Sequence, residues 1–348
     1  MNPPRILIVR LSALGDAALT LPLYFRLRAF FPTAFIGWVI EERHAGLLAA
    51  VPGLDRVHRW RREEKNWRGA RRLAREIKSE NYDIALDAQG LTKSAILPWL
   101  AGIKRRIGFR RAPLEARELA PWLDNELVAP PPALTHIAAR TNELAAPFVP
   151  AEFTAPIKFH FPDADRQAIG AWRAELATDK PLLLCGVGTS WETKMLPPEY
   201  VAALLRAARG WQPVVVWGPD EAAKIAAWRK IFGDAVKWAP RTENVAQLIV
   251  LLNYATAYAG PDSAPLHLAW LLNKPTFSWF GPSSADRGAP PTKNDRHIVA
   301  HPPTRQRRGA MMWDLKPERV LPEFAEWLRA INDAPSPANL LPKVNTTE

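Results

Sequence analysis

The sequence predicts an α/β protein of two domains with a cleft between them, each domain a mostly parallel sheet covered by helices on both faces. Three observations carry this. Short apolar runs alternate with helix-periodic segments along most of the chain, the order that buries a parallel sheet between helix layers. The length, 348 residues, exceeds what one hydrophobic core usually serves. The opening run, Arg5-Ile-Leu-Ile-Val-Arg10 and then Leu11-Ser-Ala-Leu-Gly-Asp16, reads as a buried strand entering a glycine turn. Ligands of open α/β sheets sit beyond strand ends of this kind.

The elements follow in order. After the first strand, residues 17–31 carry Leu19, Leu23 and Leu27 at helical spacing, with Pro22 near the first turns. Residues 34–40 are strand-like, and 41–51 are helical up to Pro52-Gly53. A short strand at 56–60, a basic helix at 67–79 and a strand at 83–87 come next. Residues 129–133 form a proline-rich loop before a helix at 135–146, and 151–164, aperiodic and carrying Pro156 and Pro162, read as a linker.

A second βα series begins with a helix at 165–177 and a strand at 181–185. It continues through 198–208, 214–217, 220–231, 236–238, 245–253, 257–259, 266–272 and 276–279, and closes with a helix at 317–331 before a frayed tail. The first domain is thereby placed at 1–155, a linker and entry helix at 156–178, the second domain at 179–325, and the end of the terminal helix with the tail at 326–348.

Composition narrows the function. Cys185 is the one cysteine, so neither an intrachain disulfide framework nor a cysteine-rich metal cluster is expected, and its apolar run makes it a buried strand residue. Arg5 and Arg10 bracket only four apolar residues, too few for a signal-peptide core, and the longest apolar stretch, 244–270, is interrupted by Gly260-Pro-Asp262. The chain is expected to be cytoplasmic. Its formal net charge of +11 favours a polyanionic partner: nucleic acid, an anionic membrane face or a phosphorylated substrate. The positive charge gathers at 56–72, 104–111 and 305–308. The first cluster interleaves Trp60 and Trp67 with basic residues, which suits a membrane–water interface as well as a solvated helix face.

Three segments carry candidate chemistry. Asp16 stands where a helix should start, either as a plain N-cap or as a functional carboxylate beside free amides. Cys185-Gly-Val-Gly-Thr-Ser-Trp-Glu-Thr-Lys194 is neither a Walker A sequence nor a dinucleotide fingerprint. Its small residues nevertheless let a phosphate approach the backbone, with Lys194 to compensate charge, although an ordinary surface turn fits as well. Ala259-Gly-Pro-Asp-Ser-Ala-Pro-Leu-His267 places Asp262 or Ser263 as a helix cap and His267 one turn inside, near the small-residue turn 280–284. Such a helix start can hold a pyrophosphate, and His267 can equally be a core histidine. No His-Glu-x-x-His or other metal-spaced cluster is present, so no metal is expected.

Taken together, the 5–16 segment, the run Glu80-Asn-Tyr-Asp-Ile-Ala-Leu-Asp-Ala-Gln-Gly-Leu-Thr-Lys-Ser-Ala95, Thr189 to Lys194, and Gly260 to His267 resemble the bacterial ADP-heptose:lipopolysaccharide heptosyltransferases, with heptosyltransferase I the nearest subgroup. The resemblance implies a GT-B glycosyltransferase: two Rossmann-like domains facing across a cleft, with the nucleotide sugar on the C-terminal one. It implies inverting transfer of heptose from ADP-L-glycero-beta-D-manno-heptose to a Kdo residue of Kdo-lipid A, without a metal or other cofactor. It places the general base at Asp16 and assigns Lys194 to catalysis and to the donor. Thr189, Ser190, Glu221, Asp262, Ser263 and His267 complete the donor site, Glu221 at the adenosine ribose, where Asp220 is also available. Arg59, Arg61, Arg62, Lys65 and Arg117 fall to the acceptor, and 305–308 to its rim or to no function.

The acceptor implies work at the anionic cytoplasmic face of the inner membrane, as a peripheral protein. A related glycosyltransferase with another donor or acceptor is the nearest alternative. An NAD-dependent enzyme lacks its Gly-x-Gly-x-x-Gly turn here. A nucleic-acid-binding protein lacks its zinc-finger or RNA-recognition motif, so no nucleic-acid partner is expected.

Overall fold

In the computed structural model, which describes residues 3–61, 63, 66–111, 116–304, 309 and 311–333, the apolar runs pair in parallel into two six-stranded sheets. The first contains β1 (Arg5–Val9), β2 (Phe35–Glu41), β3 (Arg56–Trp60), β4 (Ile84–Asp87), β5 (Arg105–Phe109) and β6 (Glu126–Val128) in the order β3-β2-β1-β4-β5-β6. The second contains β7 (Leu182–Gly186), β8 (Gln212–Val216), β9 (Lys237–Trp238), β10 (Ala257–Pro261), β11 (Thr276–Phe280) and β12 (Arg296–Val299) in the order β12-β11-β10-β7-β8-β9. In both, the strand order reverses beside the first strand of the series, which opens a crevice at its carboxyl end.

The central strands are apolar through their middles because both faces are covered. Successive side chains of β1 go to opposite cores: Ile6 and Ile8 join Leu21, Tyr24 and Trp38, while Leu7 and Val9 join Leu73, Ile77 and Leu97. Strand β7 divides likewise, Leu182 and Leu184 to one side and Leu183 and Cys185 to the other. Cys185 is buried in its strand, as expected. The cluster holding Ile6 and Ile8 also takes in Ile249, Leu251 and Leu266, so apolar packing continues from one domain into the other. Helix Leu14–Ala18 meets helix Ala264–Leu271 there, and the 3₁₀ segment Glu42–Ala50 meets helix Val245–Asn253.

The first domain hands the chain on through a buried arginine. Arg26, 6% exposed, donates to the carbonyls of Asn142, Val149, Pro150 and Phe153, which gathers the end of the domain into one fan of hydrogen bonds. Residues 151–162 then contain no regular element before helix Asp163–Glu175, which packs on Val245–Asn253.

Two local expectations need correction. The helix expected at 17–31 is two helices, Leu14–Ala18 and Leu21–Phe30, parted where Thr20 Oγ1 donates to the Asp16 carbonyl and Pro22 begins a new first turn. The N-cap of the first is Ala13, so Asp16 is a first-turn residue and not the cap. Strands β5, β6 and β12 and helix Thr92–Leu100 add to the elements predicted from the sequence. The strands lie toward sheet edges and begin on charged residues, and Pro98 masks the helix.

Candidate functional site

The first half of the site is built where β1 and β4 end side by side. Arg10 reaches Asp16 Oδ2 with one terminal nitrogen at 2.5 Å and the Ala88 carbonyl with the other at 2.5 Å. Gln89 Oε1 accepts from the amides of Leu11 (2.8 Å) and Ser12 (3.3 Å), so the turn after β4 carries the turn after β1. That turn is itself fixed from below: Asp87 Oδ1 accepts from the amides of Gln89 and Gly90, and Ser94 Oγ donates to Asp87 Oδ2. Lys93 Nζ donates to Ser12 Oγ at 3.2 Å and lies 3.6 Å from the buried Glu41. Asp16 keeps 37% of its side chain exposed against 11% for Arg10, so the carboxylate is oriented and still reachable.

The second half gathers at the ends of β7 and β10. Lys194 Nζ lies 2.5 Å from Asp262 Oδ2, and His267 Nε2 lies 3.2 Å from Asp262 Oδ1. Burial alone would raise the Asp262 carboxyl, but the His267 hydrogen bond and the Lys194 ammonium outweigh it and hold the group well below the usual carboxylate range. The ammonium also faces the Trp191 ring at 4.5 Å and the Asp262 carbonyl at 3.4 Å. Helix Ala264–Leu271 starts with Ser263 as N-cap without a side-chain cap bond, and the proline in its first turn has no amide to satisfy. The first amide of the helix, that of Ala264, therefore has no side-chain cap from Ser263, the arrangement in which helix starts take anions.

A single glycine joins the halves. A Cβ on Gly15 would meet His267 Cδ2 at 3.0 Å, with the Ala264 amide nitrogen at 3.6 Å. The backbone next to Asp16 therefore rests on the helix start next to Asp262. His136, from the first domain, faces the same corner: its ring meets Trp270 edge-on at 5.1 Å, and burial together with the nearby His267 and Arg287 lowers its pKa to about 4.

Glu221 lies beyond β8, accepting the Gly218 amide at 2.9 Å, with its carboxyl raised by burial. The two glycines of the 185–194 turn are accounted for by side chains: a Cβ on Gly186 would collide with the Tyr258 hydroxyl, and one on Gly188 with the Glu221 carboxylate. Thr189, half-buried, and Ser190, exposed, follow in the same turn. The turn 280–284 leaves β11, the parallel neighbour of β10, beside the Asp262 turn; Gly281 backs onto Met312 and His301, and Gly288 lies against Asp262, Phe280 and His267.

On the proposed acceptor side, Arg59 and Arg61 are exposed, Arg61 paired with Glu42 at 3.3 Å. Arg62, Lys65 and the 305–308 segment lie outside the described residues. Arg117 is exposed, and its amide donates to the Gly90 carbonyl, which sets it beside the turn after β4. Trp60 is buried at the end of β3, so of the two tryptophans read as interfacial only Trp67 is available. The 104–111 cluster is largely structural: Arg105 pairs with Glu126 at 2.7 Å, and Arg106 donates to the Leu123 and Ile103 carbonyls. Arg10, Gln89 and His136 carry no local signal of a role: the Ala88 carbonyl, the Leu11 amide and the Trp270 ring, which they meet, lie far away along the chain, although the other partner of Arg10, Asp16, is close by.

The model of glycosyltransferase family 9 (heptosyltransferase) matches residues 70–312. Lipopolysaccharide heptosyltransferase 1 of Pseudomonas aeruginosa is 31% identical over 294 residues, 80% of this chain and 79% of that protein. Among solved structures, Escherichia coli ADP-heptose lipopolysaccharide heptosyltransferase II superposes with a TM-score of 0.73 at 21% identity, covering 94% of this chain and 99% of that one. Escherichia coli heptosyltransferase WaaC, solved with ADP-2-deoxy-2-fluoro heptose, gives 0.70 at 25% identity, covering 92% and 99%.

Proposed function

This chain belongs to glycosyltransferase family 9, the heptosyltransferases of lipopolysaccharide biosynthesis, and from that premise we propose that it moves heptose from ADP-L-glycero-beta-D-manno-heptose to a Kdo residue of Kdo-lipid A, with inversion. The observation that carries the reading is the contact of Gly15 with His267, because it sets a reachable carboxylate opposite a cation and a helix start.

In this reading Asp16 takes the proton from the acceptor hydroxyl as its oxygen bonds to the heptose anomeric carbon. The bond from that carbon to the diphosphate breaks, and ADP leaves. Lys194 and the Ala264 amide meet the charge that gathers on the departing diphosphate, so no metal or cofactor is invoked. A lysine has three donor protons; with Asp262 holding Lys194, a proton is left for phosphate oxygen. Asp262 and His267 orient that lysine and border the sugar, with Thr189, Ser190 and Ser263 beside the diphosphate. Glu221, in its pocket against Gly188, receives the ribose hydroxyls.

Arg59, Arg61, Arg62, Lys65 and Arg117 are read as partners of the acceptor's phosphates and carboxylates. The location is peripheral, on the anionic cytoplasmic face of the inner membrane; no helix among the described residues is long and apolar enough to cross a bilayer. The deciding experiment is mass spectrometry of the product formed from ADP-heptose and Kdo-lipid A, with ADP-glucose and ADP-mannose as competing donors. A product one heptose heavier supports the reading. Preferred transfer of a hexose, or no transfer to Kdo-lipid A, overturns it.

A further inference from the structure

We propose that the outer face of helices Trp67–Ser79, Thr92–Leu100 and Ala120–Leu123 is a bilayer-docking surface, on which Trp67, Trp99 and Trp122 enter the interface of an anionic lipid leaflet. The inference rests on the proposed membrane-borne acceptor and supplies the surface that reading lacked. Among the described residues, five of the six large hydrophobics left exposed fall between 67 and 127. Trp67 is 50% exposed, Trp99 47%, Trp122 69% and Leu119 52%. A soluble domain seldom leaves so much indole in water on one layer unless the layer has a partner.

The three helices pack side by side. Residues of the first two enclose a core with Leu7 and Val9, on the opposite face of the sheet from the cluster that continues into the second domain. This layer therefore points away from the second domain. It nonetheless reaches the cleft, because Thr92–Leu100 begins beside Lys93 and Ser12. An acceptor seated in such a leaflet would present its sugar at that rim.

Charge selects the occupant. Helix Trp67–Ser79 carries five Lys and Arg against Glu76 alone, and Arg72 takes Glu76 at 3.6 Å, which leaves Arg68, Arg71, Arg75 and Lys78 facing out. A second copy would set positive charge against positive charge. Nucleic acid matches the sign but reads aromatics by stacking on their faces. Here Arg71 already covers Trp67 at 4.7 Å and Arg111 covers Trp122 at 4.5 Å. Indoles flanked by guanidinium groups match the headgroup layer, where an apolar body and a cationic flank are both satisfied.

The test uses the full chain with Trp67, Trp99 and Trp122 all changed to Gln, and vesicles of equimolar phosphatidylglycerol and phosphatidylethanolamine. Cosedimentation should fall about tenfold or more, while ADP affinity, which reports folding, stays at the wild-type value. In a second measurement, Trp122→Cys is labelled with an environment-sensitive fluorophore, which is selective because Cys185 is buried. Its emission should shift to the blue on these vesicles and not on phosphatidylcholine vesicles. Wild-type cosedimentation by the triple variant, or an unshifted emission, overturns the proposal. So does loss of self-association, or of binding to a random-sequence oligonucleotide, with vesicle binding intact. A wild-type chain that binds the vesicles through these tryptophans but makes no heptosylated product keeps the surface and sinks the proposed reaction instead.

Discussion

Arg10 divides its guanidinium between Asp16 and the Ala88 carbonyl, each at 2.5 Å, and so ties the proposed base of one turn to the backbone of its neighbour. Two substitutions separate what each does. Asp16→Ala should lower turnover by about 10²–10⁴, the usual cost of removing a general base, with ADP affinity kept within a few fold. Arg10→Gln should lower kcat less and also spare ADP binding, since Arg10 acts by orienting Asp16. Steady-state rates beside calorimetric ADP titration check both. Half of wild-type turnover in Asp16→Ala would return this carboxylate to a plain first-turn role.

Lys194→Ala removes a cation that the proposed reaction uses before and during departure of the diphosphate. ADP binding should weaken by roughly 1.5–3 kcal/mol, and the chemical step should slow as well. Lys194→Arg should not restore either, because a planar fork cannot copy the seat of a point charge between Asp262 and the Trp191 ring. Unchanged ADP affinity in the alanine variant would remove Lys194 from the donor site.

Gly188 and Glu221 should behave as one unit. Gly188→Ala pushes a methyl into the space of the Glu221 carboxylate and should raise the donor KM several-fold with little change in thermal stability. In a Glu221→Ala background the same methyl meets no carboxylate, so the second change should add almost nothing. A double-mutant cycle on donor KM measures this, and additive effects would show that the glycine is needed for another reason.

Asp124 predicts a pH dependence of stability. Both carboxyl oxygens are buried without a hydrogen-bond partner, and burial, with Asp87 nearby, pushes the carboxyl up to about 9. The folded chain thus favours the protonated form more than the unfolded chain does. The stabilisation this proton confers is complete below the ordinary carboxylate range and is lost as pH rises through about 9. Asp124→Asn, which cannot ionise, should show a shallower fall of Tm from acid to alkaline pH, the two curves diverging by about 2–5 °C. Parallel curves would mean that Asp124 is already ionised at neutral pH.

Much of this was written locally in the chain. Strands β1 and β7 were legible because burial on both faces leaves unbroken apolar runs, and helices Trp67–Ser79 and Val245–Asn253 because the apolar period is clear. Strand β5 was not, since Arg105 and Arg106 open it with charges whose partners, Glu126 and the Leu123 carbonyl, lie beyond the next turn. The same holds for the site. Asp16, Lys194, Asp262 and His267 stand in short motifs beside strand ends. The Arg10–Ala88 and Gln89–Leu11 hydrogen bonds each span 78 residues of chain, and no local pattern marks them.

The glycine at position 15 also acts as a mechanical stop. Because the residue preceding the proposed base is the one that touches His267, the two jaws of the cleft share a datum at the place where the reaction is proposed. Error in the long path through 151–162 therefore does not accumulate between base and donor seat. A methyl at this position would be a shim, pressing His267 back by a few tenths of an ångström. Substitutions of increasing size there would turn cleft spacing into an adjustable variable.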